Sequence, residues 1–199
     1  MTIQTPYKRI AVKVGSNVLT RQDGTLDVTR MSALVDQIAN LRNRGIEVIL
    51  ISSGAVACGR SELRHMTLSE LDTVDQRQLF SAVGQAKLMN RYYELFKEYG
   101  ISVGQVLTLK ESFSTERHYQ NQRNCMRVML QNGVLPIVNE NDTVSYEEIE
   151  FGDNDTLSAH VAHLCDADLL INLSDVDGLY SANPRKDANA RLIPLVEEI

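Results

Sequence analysis

Four strand-like apolar runs of this sequence each end in small or polar residues that could contact a substrate. After these runs the chain reads Gly15-Ser16-Asn17, Ser52-Ser53-Gly54-Ala55, Asn139-Glu140-Asn141-Asp142 and Ser174-Asp175. In open parallel α/β sheets, ligands bind beyond the carboxyl ends of the strands. Four polar strand ends from distant parts of the chain therefore predict one shared site.

Lys13 lies inside the apolar run Ile10-Ala11-Val12-Lys13-Val14, just before Gly15. A lysine that snorkels from an edge strand is the simpler explanation. A strand covered on both faces would instead bury the ammonium group, which then needs an anion as its partner. Gly15 would allow a ligand to approach the backbone closely. We favour phosphate binding by Lys13 over snorkelling.

The most distinctive segments are Asn139-Glu140-Asn141-Asp142 and Gly152-Asp153-Asn154-Asp155. Their short amides and carboxylates could bind the head group of an amino acid. Asp155 stands where a helix is expected to begin, so an N-cap role is about as well supported as a functional one. Ser53-Gly54-Ala55 opens a helix whose free amides could bind an anion. Ser174-Asp175 could be a plain turn or could hold a ribose and base.

Several classes of protein are disfavoured by composition and motif. The 199 residues carry a net charge of −6, whereas nucleic-acid-binding proteins usually present a basic face. No apolar run approaches the ~20 residues that a membrane span needs. Neither a P-loop nor a dinucleotide-binding glycine motif is present. Three widely spaced cysteines indicate reduced thiols of a cytoplasmic protein, and no metal ligand set is evident.

Strand-like and helix-like segments alternate along the chain. We predict strands at about 9–14, 47–51, 101–109, 134–138 and 168–173, helices at about 28–44, 75–99, 115–131 and 155–164, and a short hairpin arm at 145–151. Thr115 is expected to cap the helix that runs to about Gln131, and Gly45 and Gly133 are expected to follow the ends of the first and third of these helices. Strands that are separated by helices predict an α/β fold, in which a mostly parallel open sheet is sandwiched by helices. The chain stays irregular after Pro184, so we expect a domain truncated at its C-terminus.

Over nearly its whole length the chain resembles the amino acid kinase family. The resemblance is carried by 12–16, 52–56, 82–85, 138–142, 152–159 and 173–180. The lysine strand and the Ser-Gly-Ala element occur across the wider family. The Asn-Glu-Asn-Asp and Gly-Asp-Asn-Asp segments single out the branch that acts on glutamate. The family's later glycine-rich stretch, with its second catalytic lysine, has no counterpart after Pro184.

This resemblance implies ATP-dependent phosphorylation of the L-glutamate side-chain carboxylate to glutamyl 5-phosphate, the first step of proline biosynthesis. It implies that Lys13 contacts the transferred phosphoryl group and that Asp155 positions the catalytic lysines. It further assigns Ser53, Gly54, Asp142 and Asn154 to glutamate, and Lys13, Gly15, Ser174 and Asp175 to ATP. Mg²⁺ as cofactor, proline as feedback inhibitor, a homo-oligomer and a cytoplasmic location are likewise implied.

Two alternatives stay open at this point. Another kinase of the same fold could act on acetylglutamate, aspartate, carbamate or UMP. A non-catalytic fragment could instead bind glutamate or proline. We take residues 1–199 as one incomplete amino acid kinase domain, and we expect these residues alone to show no turnover because the second lysine is missing.

Overall fold

The computed structural model describes residues 6–68, 70–144 and 153–197, apart from the side chains of Lys110, Glu111 and Asp153. Five strands form one parallel sheet in the order β3-β4-β2-β1-β5. The strands are β1 (Arg9–Val14), β2 (Glu47–Ser52), β3 (Val103–Thr108), β4 (Leu135–Glu140) and β5 (Leu169–Leu173). This arrangement confirms the predicted α/β fold with a parallel sheet.

Six α-helices connect or flank the strands of the described chain. They are α1 (Ser16–Leu19), α2 (Val28–Asn43), α3 (Ala55–Glu62), α4 (Thr73–Lys97), α5 (Glu116–Gln131) and α6 (Asp153–Leu164). The side chains of Asp27, Asp72 and Thr115 cap α2, α4 and α5 by accepting hydrogen bonds from backbone amides. Such a cap typically contributes ~1 kcal/mol. The predicted cap at Thr115 is confirmed.

Three predicted boundaries were wrong. Helix α6 begins at Asp153, so Asp155 lies within its first turn and does not cap it. Strand β3 begins at Val103 because the amide of Ile101 is bonded to the carbonyl of Phe96, which completes the end of α4. Strand β4 continues to Glu140 and so includes the polar residues that were predicted to follow it. The predicted arm at 145–151 lies outside the described residues.

Successive residues of a strand pack alternately into two apolar cores, one on each face of the sheet. Ile10, Val12 and Val14 of β1 pack in the core that includes buried residues of α2, α3 and α4. Ala11, between them, packs in the second core with buried residues of α5 and α6. Lys13 follows Ala11 by two residues, so it lies on the same face of β1 as α6. Every described helix is too short or too polar to cross a membrane.

Helices α3 and α4 cross at very short range because glycines meet at the crossing. A Cβ atom on Gly84 would lie 1.8 Å from the carbonyl oxygen of Ala55, and one on Gly59 would lie 1.8 Å from that of Phe80. Only glycine allows two backbones to approach this closely. The crossing fixes the first residue of α3 against α4, next to the end of β2.

The chain leaves the adjacent strands β2 and β4 toward opposite faces of the sheet. The segments after β1 and β2 lead to α2 and α3 on one face, whereas α6, which follows β4, packs on the other. A crevice opens at the carboxyl edge of a parallel sheet where neighbouring connections diverge in this way. Here it lies between the ends of β2 and β4.

Candidate active site

The polar strand ends meet at one cavity of about 350 Å³ at this edge of the sheet. Its wall contains every residue that the sequence assigned to the site except Gly54, which lines an adjoining cavity of about 270 Å³. The two cavities share Ser16, Ser53, Arg77, Asp142 and Asn154. The lining of the first cavity is Lys13, Gly15, Ser16, Asn17, Val18, Ser53, Arg77, Glu140, Asp142, Asn154, Asp155, Ser174 and Asp175.

Lys13 is buried, with 8% of its surface exposed, and its ammonium group forms an ion pair with Asp155. The strand of Lys13 lies between β2 and β5, so the lysine is not at an edge and the snorkelling explanation was wrong. A buried ammonium needs a compensating anion. The first turn of α6 supplies it through Asp155, whose side chain is 61% exposed at the cavity.

A chain of amides runs from α4 to the cavity. The amide nitrogen Nδ2 of Asn139 donates to Oε1 of Gln85 (2.9 Å). The Nδ2 atom of Asn154 donates to Oδ1 of Asn139 (3.2 Å) and to Oγ of Ser53 (2.6 Å). Gln85 and Asn139 are buried, so these bonds form in a low dielectric. Through them α4 orients the side chain of Asn154 in the cavity wall.

This series of hydrogen-bonded amide side chains contains two polar atoms that have no hydrogen-bond partner in the described structure. They are Nε2 of Gln85 and Oδ1 of Asn154, and both are buried. An unsatisfied buried polar atom costs ~1–3 kcal/mol. Because both hydrogens of the Asn154 amide are used inward, its oxygen is the part of the group that remains to accept a bond. A ligand with a donor group would supply that bond.

Asp142 is buried and paired with Arg77 of α4. Oδ1 of Asp142 accepts from Nε (3.0 Å) and Nη2 (2.6 Å) of Arg77, and Oδ2 accepts a long bond from Ser81 (3.4 Å). Glu140 lies at 3.9 Å from the same guanidinium group. Arg77 thus holds two carboxylates at the end of β4, and 30% of its side chain stays exposed.

The end of β5 is tied to the end of β1 through Asp175. Its Oδ2 atom accepts from Nδ2 of Asn17 (3.0 Å) and from Nη2 of Arg185 (2.8 Å), and the hydroxyl of Ser174 lies 3.4 Å from Oδ1. The bond from Asn17, followed by that from Arg185, lowers the pKa of the Asp175 carboxyl below its ordinary value. Asp175 therefore presents a stable negative charge to the cavity at neutral pH.

The two glycines assigned to the site have different roles in the backbone. Gly54 stands two residues after the end of β2 and directly before α3, and its φ of 105° lies in the left-handed region that favours glycine. Gly15 has a φ of −70°, and a Cβ atom there would meet only ordinary contacts. The conformation of Gly15 therefore does not require glycine. A ligand-binding role for Gly15 depends on its place in the cavity wall and stays a prediction.

No group of three or more Asp, Glu, His or Cys residues in the described ranges is arranged to hold a metal ion. Mg²⁺ commonly takes only one or two carboxylates and completes its shell with waters and substrate phosphates. Asp155 and Asp175 are carboxylates in the cavity wall that could meet a metal bound to phosphates. These two carboxylates fit a Mg²⁺ ion that is carried by the phosphates of a nucleotide.

Sequence reasoning did not find the contribution of α4 to the site. Arg77, Ser81 and Gln85 stand four residues apart and face the end of β4. Residues at this spacing share one face of a helix. Ser81 and Gln85 are buried in spite of their polarity. A polar stripe of this kind on the inner face of a long helix is the signal that could have indicated these residues.

The chain belongs to the amino acid kinase family, whose sequence profile matches residues 8–198. Within that family it is similar to proteins named glutamate 5-kinase. It is 68% identical over 184 residues to the one from Bacteroides thetaiotaomicron, with 92% of this chain and 51% of the relative covered. It is 49% identical to that of Clostridium acetobutylicum, with 96% of this chain and 71% of the relative covered.

A third relative, glutamate 5-kinase 2 of Bacillus subtilis, is 46% identical over the whole chain, which covers 53% of that protein. The chain thus spans about half the length of most of the curated relatives named here. None of the three carries the name of a kinase for acetylglutamate, aspartate, carbamate or UMP, so these alternatives are not favoured.

A solved structure with the same fold is that of isopentenyl phosphate kinase. It matches with a TM-score of 0.64 at 19% identity, and the match covers 96% of this chain and 81% of that one. At this identity the match supports the fold alone.

Proposed function

We propose that this chain carries the glutamate site and part of the phosphoryl-transfer site of an ATP-dependent kinase that acts on the side-chain carboxylate of L-glutamate. The observation that carries the proposal is the meeting of a buried lysine with amino-acid-binding groups in one cavity. The Lys13–Asp155 ion pair lies in the same wall as Ser53, Asp142 and Asn154. The similarity to glutamate 5-kinases supports the choice of substrate.

The reaction needs no general base. A glutamate side chain has an ordinary pKa near 4.3 and is already a carboxylate at neutral pH. One carboxylate oxygen attacks the γ-phosphorus of ATP, and the bond from that phosphorus to the bridging oxygen of ADP breaks. ADP leaves with the electron pair, and the product is an acyl phosphate. The described residues of the cavity wall include no histidine or cysteine nucleophile, which agrees with this chemistry.

The difficulty of the reaction is to bring two anions together. Positioning and neutralisation of charge are therefore the main contributions that a protein can make to phosphoryl transfer. In our proposal the ammonium of Lys13 contacts the transferred phosphoryl group. Asp155 holds this ammonium group at the cavity through the ion pair, so that it does not pair with the other carboxylates of the wall. A preorganised charge of this kind is worth ~100-fold or more in rate.

The nucleotide would bind beside Lys13, at Gly15, Ser174 and Asp175. Bound Mg²⁺ would supply neutralisation of the phosphate charge, with Asp155 and Asp175 as the nearby carboxylates. Asn17 and Arg185 hold Asp175 in place. Glutamate would occupy the side of the cavity next to β2 and β4, where Ser53, Gly54, Asp142 and Asn154 lie.

The biological setting of the kinase also belongs to the proposal. With glutamyl 5-phosphate as product, the reaction is the first step of proline biosynthesis in the cytoplasm. Feedback inhibition by proline and assembly into a homo-oligomer are carried by the family resemblance alone.

The proposal is tested with a panel of acceptors. The intact protein is incubated with Mg-ATP and, separately, L-glutamate, aspartate, acetylglutamate, carbamate or UMP, and ADP release is measured. Hydroxylamine in the assay traps an acyl phosphate as a hydroxamate. We expect ADP and hydroxamate in equal amounts with glutamate and far less ADP with the others. Glutamate binding without ADP release would instead support the non-catalytic alternative.

A further inference from the structure

The ion pair between Arg77 and Asp142 has the form of a receptor for a zwitterion. Asp142 is 6% exposed, and both hydrogen bonds from Arg77 go to its Oδ1 atom, at 3.0 and 2.6 Å. Without the arginine, the carboxylate would be a buried charge with little compensation, which is strongly destabilising. The pair therefore compensates the charge of Asp142 before any ligand binds.

Arg77 is also accessible from the cavity, where 30% of its side chain is exposed. A planar guanidinium group has five N–H donors in a fork that matches a carboxylate. The bonds to Asp142 come from Nε and Nη2, and Glu140 lies 3.9 Å from the same Nη2 atom, so Nη1 is the part of the fork that could meet the carboxylate of a ligand. Arg77 lines both cavities, so it can reach a ligand in either of them.

An amino acid carries an ammonium and a carboxylate on one carbon atom. Such a head group is complementary to an adjacent acid and base, because each charge of the ligand meets its opposite. Oδ1 of Asn154 is an additional buried acceptor without a partner among the described residues, and it belongs to the same wall. Two acceptors and one guanidinium group thus belong to residues that line the same cavity, and the carboxylate of Glu140 lies 3.9 Å from this guanidinium group.

We propose that Arg77 binds the α-carboxylate of the substrate, while Asp142 and Asn154 accept hydrogen bonds from its α-ammonium group. This inference rests on the proposed function, because it takes glutamate as the substrate. It makes Arg77 the residue that selects an amino acid over an amine that bears the same distal carboxylate. The distal carboxylate is left to point toward Lys13.

The test compares L-glutamate with isoglutamine, its α-amide, which keeps the ammonium and the distal carboxylate but lacks the α-carboxylate charge. Dissociation constants are measured by calorimetry or, for weak binding, by NMR titration of the intact protein. A charge-assisted bond of this kind corresponds to a preference of about 10- to 100-fold for glutamate. In Arg77→Met we expect this preference to fall to about twofold or less, and in Arg77→Lys to an intermediate value.

Two further variants separate binding from folding. Arg77→Met combined with Asp142→Asn removes both charges, avoids a lone buried carboxylate and should show the same loss of preference. Arg91→Met is the matched control, because Arg91 lies on the same helix and pairs with Glu94 at 3.0 Å outside the cavity. It should keep the full preference.

An unchanged preference in folded Arg77→Met would overturn the assignment of Arg77 and leave the proposed function intact. Equal weakening of both ligands would also overturn it, because Arg77 would then act only by holding Asp142. No preference for glutamate in the unaltered protein would have the same consequence. Failure of the unaltered protein to bind glutamate at all would overturn the proposed function together with this inference.

Discussion

The ammonium group of Lys13, near the end of β1, is held by the carboxylate of Asp155 in the first turn of α6. The two residues come from elements that lie far apart in the sequence and meet on one face of the sheet. The ion pair neutralises a lysine that burial would otherwise disfavour. It also leaves the lysine at the cavity, where an incoming phosphate could share it.

Replacement of Lys13 by alanine should abolish most of the catalytic rate. We expect Lys13→Ala to lower kcat by at least ~100-fold, which is the scale for loss of one preorganised charge. Steady-state kinetics with glutamate and Mg-ATP measure this effect, and thermal melting checks the fold. Lys87→Ala is the control, because Lys87 is half exposed and pairs with Glu62 away from the cavity. A folded Lys13→Ala protein with near-normal kcat would contradict the role of Lys13.

Gln85 should act on glutamate binding through Asn139 and Asn154. Its Oε1 atom accepts from Asn139, so loss of this acceptor frees the amides to rotate. We expect Gln85→Met to raise the KM for glutamate about tenfold and to leave the KM for ATP within twofold. Gln85→Glu keeps an acceptor oxygen at the same place and should restore most of the affinity. Equal effects of Met and Glu would show that Gln85 contributes only packing.

Gly84 should tolerate no side chain. A Cβ atom added at this position would lie 1.8 Å from the carbonyl oxygen of Ala55, and a backbone atom cannot rotate aside. Overpacking typically costs 1–3 kcal/mol, and here it should outweigh the ~1 kcal/mol that alanine gains over glycine within a helix. We expect Gly84→Ala to lower the free energy of unfolding by at least ~2 kcal/mol in urea denaturation. Ala86→Leu, at an exposed position of the same helix, should change it by less than ~0.5 kcal/mol.

The three thiols should differ strongly in reactivity. Cys58 and Cys165 are buried and Cys125 is exposed, and all three are free. Burial raises the pKa of the Cys58 thiol, and it raises that of Cys165 to about 12. Since the thiolate is the reactive form, iodoacetamide at pH 8 should modify Cys125 first and spare the other two in the folded protein. Peptide mass spectrometry gives the order in which the three thiols are modified. Early modification of Cys165 would argue against the packing of α6.

Much of the fold could be predicted from the sequence because local signals agreed. The apolar strands, the glycines after α2 and α5 and the cap at Thr115 all lie where the chain indicates. The site could be placed because polar residues at the ends of parallel strands must converge. The roles of the individual site residues stay predictions, as does the assignment of residues 1–199 to one incomplete domain.

The contacts across the sheet could not be predicted. The polar stripe on α4 could mark the face that carries Arg77, but it does not indicate the partner of that face, and only the folded chain brings Arg77 to Asp142. Asp155 was read as a possible helix cap because its partner, Lys13, lies on a distant strand. Short helix α1 was not predicted, since four residues give no usable periodicity.

The central claim is that a glutamate side-chain oxygen attacks the γ-phosphorus of ATP at this site. Its most direct test uses L-glutamate labelled with oxygen-18 in the side-chain carboxylate, together with Mg-ATP and hydroxylamine, and the intact protein. Hydroxylamine attacks the acyl carbon, so the oxygen that bridged carbon and phosphorus leaves with the phosphate. We predict that phosphorus NMR detects one oxygen-18 in each inorganic phosphate released. Phosphate without the label would show that water attacks ATP instead, and it would contradict the account.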